Sequence, residues 1–249
     1  MCELLGFSAR EYTDLQRPLR DFFSHCERNP HGWGLMYSEG CVKESLKASE
    51  SKKLAEILDT IQPQKTVLGH IRYATVGRIC TLNCHPFTAQ DNSGRQWTLI
   101  HNGTIYTAGK LVHTYKDRLG DTDSEAMFLY LMETINSRQT RSPLSAKQRF
   151  SIVDRFVCEM SYRNKLNLMI FDGELLYVHK NMEDTMRYRR TKSGYIFATQ
   201  PLDRQVWHDV PTAQLFAYRD GELAFEGEKH GGIFVSNLQY ITVTDAMFI

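Results

Sequence analysis

Hydrophobic positions along this chain change rhythm several times, and each change marks an element. Residues 2–8 form a short apolar run bounded by charge, the pattern of a buried strand. Leu15, Leu19, Phe22, Phe23 and Cys26 then recur at helical spacing until Asn29-Pro30 closes the segment. Residues 32–37 return to an extended pattern, and residues 52–61 predict a short helix. Strands are expected at 66–73 and 96–101. Thr122-Asp123-Ser124-Glu125 has the spacing of a capping box ahead of the apolar run 126–132, with Thr122 as N-cap. A second helix follows Pro143, with Phe150, Val153, Val157 and Met160 on one stripe. The last third predicts strands at 167–171, 175–179, 195–199, 214–218 and 240–243, with a hairpin turn at Asp172-Gly173. Strands, two helices, then strands imply an α+β chain with helices packed on antiparallel sheets. Periodicity leaves the number of layers open.

Composition narrows the class. The 249 residues are 42% hydrophobic, enough for a substantial core, and no repeat, low-complexity tract or Pro/Gly/Ser linker divides them. One domain over residues 1–249 is the expectation. A net charge of +1 gives no electrostatic reason to expect nucleic acid or an anionic membrane as partner. The densest basic stretch, Arg187-Tyr188-Arg189-Arg190, reads as a solvated strand or loop. No run of 18 apolar residues could span a bilayer, and Glu3 and Arg10 bracket an apolar run too short for a signal peptide. Six unevenly spaced cysteines read as reduced thiols of a cytoplasmic protein. Cys80, Cys84 and His85 invite a metal reading, but no second ligand pair follows at zinc-site spacing. Neither metal nor other cofactor is expected.

The candidate chemistry begins at Cys2. Initiator methionine is normally removed before so small a side chain, which would leave Cys2 with a free α-amine. That amine has an ordinary pKa of about 7.7–8.0 and can serve as base to the thiol of its own residue. Asn102-Gly103, at the end of an expected strand, offers a side-chain amide and a backbone N–H that could converge on one oxyanion; the alternative is a hairpin turn. Arg72 leaves an apolar strand, where a guanidinium suits a carboxylate or an internal salt bridge. Asp123 in a first helical turn could face a substrate ammonium or simply start the helix. With the N-terminal amine as base, His31, His70, His85 and His101 are not needed for catalysis, and Trp33 reads equally as a pocket-lining or a packing residue.

In order and spacing these pieces resemble the class II glutamine amidotransferases, which are N-terminal-nucleophile hydrolases, and among them the stand-alone YafJ-like members. The resembling segments are Met1-Cys2-Glu3-Leu4-Leu5-Gly6, His31-Gly32-Trp33-Gly34, and His70-Ile71-Arg72-Tyr73-Ala74-Thr75-Val76-Gly77. Asn83-Cys84-His85-Pro86-Phe87, His101-Asn102-Gly103 and Asp121-Thr122-Asp123-Ser124-Glu125 complete the set.

The resemblance implies a four-layer αββα sandwich. It implies Cys2 as nucleophile, Asn102 and Gly103 as oxyanion hole, Arg72 on the glutamine α-carboxylate, Asp123 on its α-ammonium, and Thr75 beside the substrate. Residues 74–86 would be a mobile loop over bound glutamine. Tyr73 and Val76 depart from the Trp and His of synthase-linked members, which removes any contact those side chains would make. The implied reaction is hydrolysis of the glutamine γ-amide through a glutamyl thioester. No synthase domain fits beside the fold, so ammonia would pass to a separate subunit or be released. The alternatives are a larger γ-glutamyl amide as substrate, a non-catalytic glutamine-binding subunit with Met1 retained, or an acylase of another specificity.

Overall fold

The computed structural model describes residues 2–107, 109–139 and 142–236. The chain starts with β1 (Glu3–Thr13), α1 (Gln16–Ser24), β2 (Trp33–Tyr37), β3 (Gly40–Glu44), α2 (Lys52–Thr60) and β4 (Gln64–Ile71). Next come β5 (Phe87–Gln90), β6 (Gln96–Thr104), α3 (Asp123–Arg138), α4 (Ala146–Met160) and β7 (Lys165–Phe171). It continues with β8 (Leu176–Lys180), β9 (Arg187–Arg190), β10 (Gly194–Ala198), β11 (His208–Asp209), β12 (Gln214–Arg219) and β13 (Glu222–Glu226). One antiparallel sheet has the order β11-β9-β10-β1-β4-β2-β3, and the other β13-β12-β8-β7-β6-β5.

Three apolar cores lie between four layers. Leu19, Phe22 and Phe23 of α1 and Leu54 and Leu58 of α2 pack on Leu5, Phe7, Leu35 and Val67 of the first sheet. Phe128, Leu131, Val153 and Val157 of α3 and α4 pack on Trp97, Leu99, Leu168 and Tyr177 of the second. Between the sheets, Leu4, Leu68 and Phe197 meet Ile100, Met169, Val178 and Phe216. The arrangement is therefore an αββα sandwich, and two-residue alternation builds it. Leu5 and Phe7 of β1 face the helices while Leu4 faces the partner sheet. A Cβ at Gly6 would stand 2.4 Å from the Met169 sulfur, so glycine there leaves room for Met169 of the facing sheet.

Local signals explain most boundaries. The Ser51 hydroxyl accepts from Leu54 N at the start of α2, and Thr122 accepts from Glu125 N at the start of α3. The reciprocal half of the expected α3 capping box is absent: the Glu125 carboxylate instead accepts from Leu119 N and Gly120 N, 2.8 Å each. A complete capping box occurs at α4, where Ser145 and Gln148 bond each other's backbone. At the Asp172-Gly173 turn, Asp172 Oδ1 accepts from Glu174 N and Leu175 N, and Gly173 has φ +84°. The basic stretch 187–190 is strand β9, and the strand expected at 240–243 lies outside the described residues.

Candidate active site

One rim of the sandwich collects most of the residues singled out above. β1 and β4 are antiparallel neighbours, with Glu3 opposite Ile71, so Cys2 and Arg72 leave the same edge of the first sheet. In the second sheet β6 runs through Asn102 and Gly103 to Thr104, paired with Asn167, Leu166 and Lys165 of β7. Asn102-Gly103 is therefore strand, which corrects the hairpin alternative and extends the expected strand by three residues. The glycine is required there by contact. A Cβ at Gly103 would lie 1.9 Å from the Lys165 carbonyl oxygen and 2.3 Å from His101 Nε2.

Cys2, Thr75, Asn102 and Gly103 line a single cavity of about 670 Å³. The Cys2 thiol donates to the Tyr73 carbonyl at 3.3 Å, and its sulfur accepts from Tyr73 N at 3.2 Å. Burial pushes the thiol above its ordinary pKa, opposed by the Tyr73 backbone and by the positive charges of Arg72 and Lys165. Lys165, at 7% exposure, is itself pushed down by burial and supported by Cys2.

Arg72 and Asp123 are buried and do not line that cavity. Arg72 donates through Nη2 to Val76 O at 3.2 Å, while its buried Nη1 has no hydrogen-bond partner among the described residues. A guanidinium with an uncommitted buried N–H is disposed to take a carboxylate. Asp123 accepts from Ile105 N at 2.7 Å and from Ser124 N at 2.9 Å. Two of its roughly four acceptor directions are thus spent on backbone.

The segment 74–86 is tied at both ends. Ala74 N donates to His31 Nδ1 at 2.9 Å. Asp121, just ahead of α3, accepts from Arg78 N and Arg78 Nε and is bonded to Asn83 Nδ2. Asn83 Nδ2 also donates to Arg78 O at 2.8 Å, and Asp121 N donates to Asn83 Oδ1 at 2.9 Å. Gly77 at φ +79° makes the tight passage past Asp121 and Thr122.

The histidines hold structural positions. His101 Nε2 donates to Lys165 O at 3.2 Å, and its Nδ1 meets Ser124 Oγ at 2.9 Å. His70 and His85 lie ring to ring, centroids 4.2 Å apart. Burial holds His70 down to about 3 and His85 well below its usual range, so both are neutral at pH 7. Trp33 is fully buried against Phe23. Among the described residues no cluster of three His, Cys, Asp or Glu could hold a metal ion.

Sequence reasoning missed Lys165, Arg163, Tyr106, Met182 and Phe234, which also line the cavity. For Lys165 a signal existed. Leu166, Leu168 and Ile170 face the helices, so Lys165, Asn167 and Met169 face inward, and a lysine on an inward face is unusual. The others come from loops and the tail, where no periodicity announces a direction.

Two antiparallel sheets between two helical layers, with the half-buried Cys2 and the Asn102-Gly103 pair at one rim, give the fold that the class shares. The chain belongs to the class II glutamine amidotransferases, whose family pattern it matches over residues 1–194. It is 32% identical over 190 residues to the protein YafJ of Escherichia coli (strain K12), covering 72% of each chain. Its fold is similar to the crystal structure of a predicted glutamine amidotransferase from Pseudomonas aeruginosa (TM-score 0.64, 22% identity, 90% of this chain and 100% of that one). It is also similar to glutamine phosphoribosylpyrophosphate amidotransferase from B. subtilis (TM-score 0.67, 15% identity, 97% of this chain and 52% of that one). Family membership makes the chain an enzyme of glutamine amide chemistry. No helix among the described residues is long and apolar enough to cross a membrane.

Proposed function

We propose that the chain hydrolyses the γ-amide of glutamine with Cys2 as nucleophile, releasing glutamate and ammonia, and that the ammonia is free to reach an acceptor in a separate subunit. The observation that carries this is that Cys2, Asn102 and Gly103, from two different sheets, line one cavity; the buried Arg72 Nη1, without a hydrogen-bond partner among the described residues, supports the carboxylate role. Because burial raises the thiol, the sulfur is protonated at neutral pH and needs a base. Its hydrogen bonds run to the Tyr73 backbone and not to a histidine, which leaves the α-amine freed by removal of Met1.

In this mechanism the amine takes the thiol proton and the sulfur adds to the amide carbon. Asn102 and Gly103 donate to the oxyanion, Arg72 holds the α-carboxylate and Asp123 faces the α-ammonium. Thr75, in the loop over the site, lies against the substrate. The C–N bond breaks as the ammonium returns its proton to the leaving nitrogen, and water then cleaves the thioester.

The test is glutamate release from glutamine by protein whose intact mass shows loss of Met1. Cys2→Ala should abolish it, and Asn102→Ala should lower kcat by about 10²–10³. Arg72→Lys should raise KM at least tenfold, because lysine cannot reproduce a forked contact. Absence of glutamate release from glutamine by the processed protein overturns the proposal.

A further inference from the structure

We propose that His230 is a positioning residue for the site at Cys2: its neutral ring pins the strip 232–236 against the cavity, and a proton taken up by the pair it forms with His179 lets that strip go. The reaction it serves rests on the glutaminase reading above; the latch itself rests on geometry.

The strip matters because of where it lies. Phe234, Val235 and Ser236 line the cavity together with Cys2, Asn102 and Gly103. Phe234 stacks on Tyr106 of the same wall, ring centroids 5.9 Å apart. Phe234 N donates to Asn181 O at 2.7 Å, and Asn181 Nδ2 donates to Gly232 O at 2.9 Å. A further tie is the Gly232 N–H, which donates to His230 Nδ1 at 3.1 Å. A Cβ at Gly232 would stand 2.7 Å from the Ser161 Cβ and 3.1 Å from His230 Nδ1, so glycine leaves room for the strip to seat there.

Proton positions along this row of contacts are fixed from its far end. His179 Nδ1 lies 2.8 Å from the Leu166 carbonyl, which can only accept, so that nitrogen carries a hydrogen. Burial holds His179 neutral at pH 7, which leaves its Nε2 bare. His230 Nε2, 3.0 Å away, is therefore the donor. In the neutral ring His230 Nδ1 is then bare and able to accept from Gly232. A second proton has no place in this order. On His230 it would sit on Nδ1 and face the Gly232 N–H; on His179 it would sit on Nε2 and face the His230 N–H. Either way two donors meet and a hydrogen bond is lost.

The surroundings do not offset that loss. His179 is the titratable group facing His230 from β8, with His101 of β6 acting on it from behind. Lys180, the next residue of β8, is engaged by Asp209. β12 is preceded by Ala213, whose carbonyl accepts from His230 N, and the turn after α4 presents Ser161. Within its own segment Glu228 acts on Asp154 of α4, whereas burial is what lowers the proton affinity of His230. A released His230 titrates near 6.5. The latch is thus complete above about pH 6.5 and weakens as pH falls, by up to about tenfold per pH unit.

The test is hydrogen–deuterium exchange on the full chain with Met1 removed, read on the peptide carrying residues 230–236 and corrected for the intrinsic pH dependence of exchange. In wild type, protection should fall at least threefold from pH 7 to pH 5 while β6 stays protected, and KM for glutamine should rise over the same range. His230→Phe keeps a ring and loses both nitrogens. It should show the low protection and the raised KM already at pH 7, with neither changing toward pH 5. His230→Asn, whose short amide can accept from the N–H two residues on, should bring both back to within about threefold of wild type at pH 7, yet show no fall in acid. Protonation of the Cys2 α-amine is common to all three and cancels in the comparison. Should His230→Phe fold poorly, the wild-type and His230→Asn profiles decide. Protection independent of pH in wild type, or wild-type behaviour in His230→Phe, overturns the latch. Protection that falls with no change in KM overturns the positioning role. Absence of glutamine turnover at every pH, with the protection profile as expected, overturns the glutaminase reading and leaves the latch standing.

Discussion

Gly103 concentrates two demands in one position, and a methyl group there separates them from ordinary loss of a donor. Its absent Cβ makes room for the Lys165 carbonyl, which in turn accepts from His101. Gly103→Ala must therefore push β6 and β7 apart just where the Asn102 amide is aimed. We expect a stability loss of about 1–3 kcal/mol, typical of overpacking, together with a fall in kcat of at least a hundredfold. Urea melts and glutamine turnover on the same preparation check both. A variant of normal stability and normal rate would show that the strand tolerates the methyl. At this scale Cys2, the Asn102-Gly103 pair, Arg72 and Asp123 stood out in the sequence because chemistry restricts the residue types that could fill the proposed roles; the structure brings Cys2, Asn102 and Gly103 to one cavity and leaves Arg72 and Asp123 outside its lining. Lys165 was not singled out, since a lone lysine reads as solvated until its strand neighbours show which way it faces.

The segment 74–86, which carries Thr75 to the cavity and which we propose covers bound glutamine, is held by Asp121. Hydrogen bonds from Arg78 and Asn83 keep the Asp121 carboxyl below its usual range, Asn83 contributing most. Arg78 is exposed and Asn83 buried, but the cluster lies outside the three apolar cores, so its loss should loosen the segment without unfolding the protein. In Asp121→Ala we expect KM for glutamine to rise roughly two- to fivefold, with kcat less affected. Tryptic cleavage after Arg78 should also accelerate. Unchanged KM and unchanged nicking would mean that His31 and the Arg72 contacts suffice to hold the segment. Most helices and inner strands were legible as elements from apolar rhythm. β3 and β5 were not, because both carry exposed polar positions, and neither was the full length of β1, whose residues 10–13 turn polar as the strand leaves the core. The Thr122–Glu125 spacing signalled a helix start correctly, yet Glu125 serves the preceding turn rather than its own cap.

For the whole molecule, the buried neutral histidines set its response to acid. Burial holds both His70 and His179 down to about 3, the latter helped by its contact with His230, while unfolded histidines titrate near 6.5. Between those values the unfolded chain binds protons that the native one does not. The stabilising contribution is therefore complete above about pH 6.5 and is lost as pH falls toward 3, at about 1.4 kcal/mol per pH unit for each such group. Urea midpoints measured from pH 7 to 5 should fall accordingly, and His179→Gln should make the fall shallower. A flat profile would mean that these rings take up protons in place. Layer count was the part of the architecture that patterning could not supply, since alternation shows that a strand has two faces but not what covers each. The resemblance carried by the motifs supplied it.

Asn181 clasps the strip from Gly232 to Phe234, so part of the wall of the cavity beside Cys2 comes from beyond the matched residues 1–194. Cys2 and that strip thus lie far apart in the chain and meet at one cavity. Edits to that strip would therefore reshape the cavity without touching the segments that carry the family pattern.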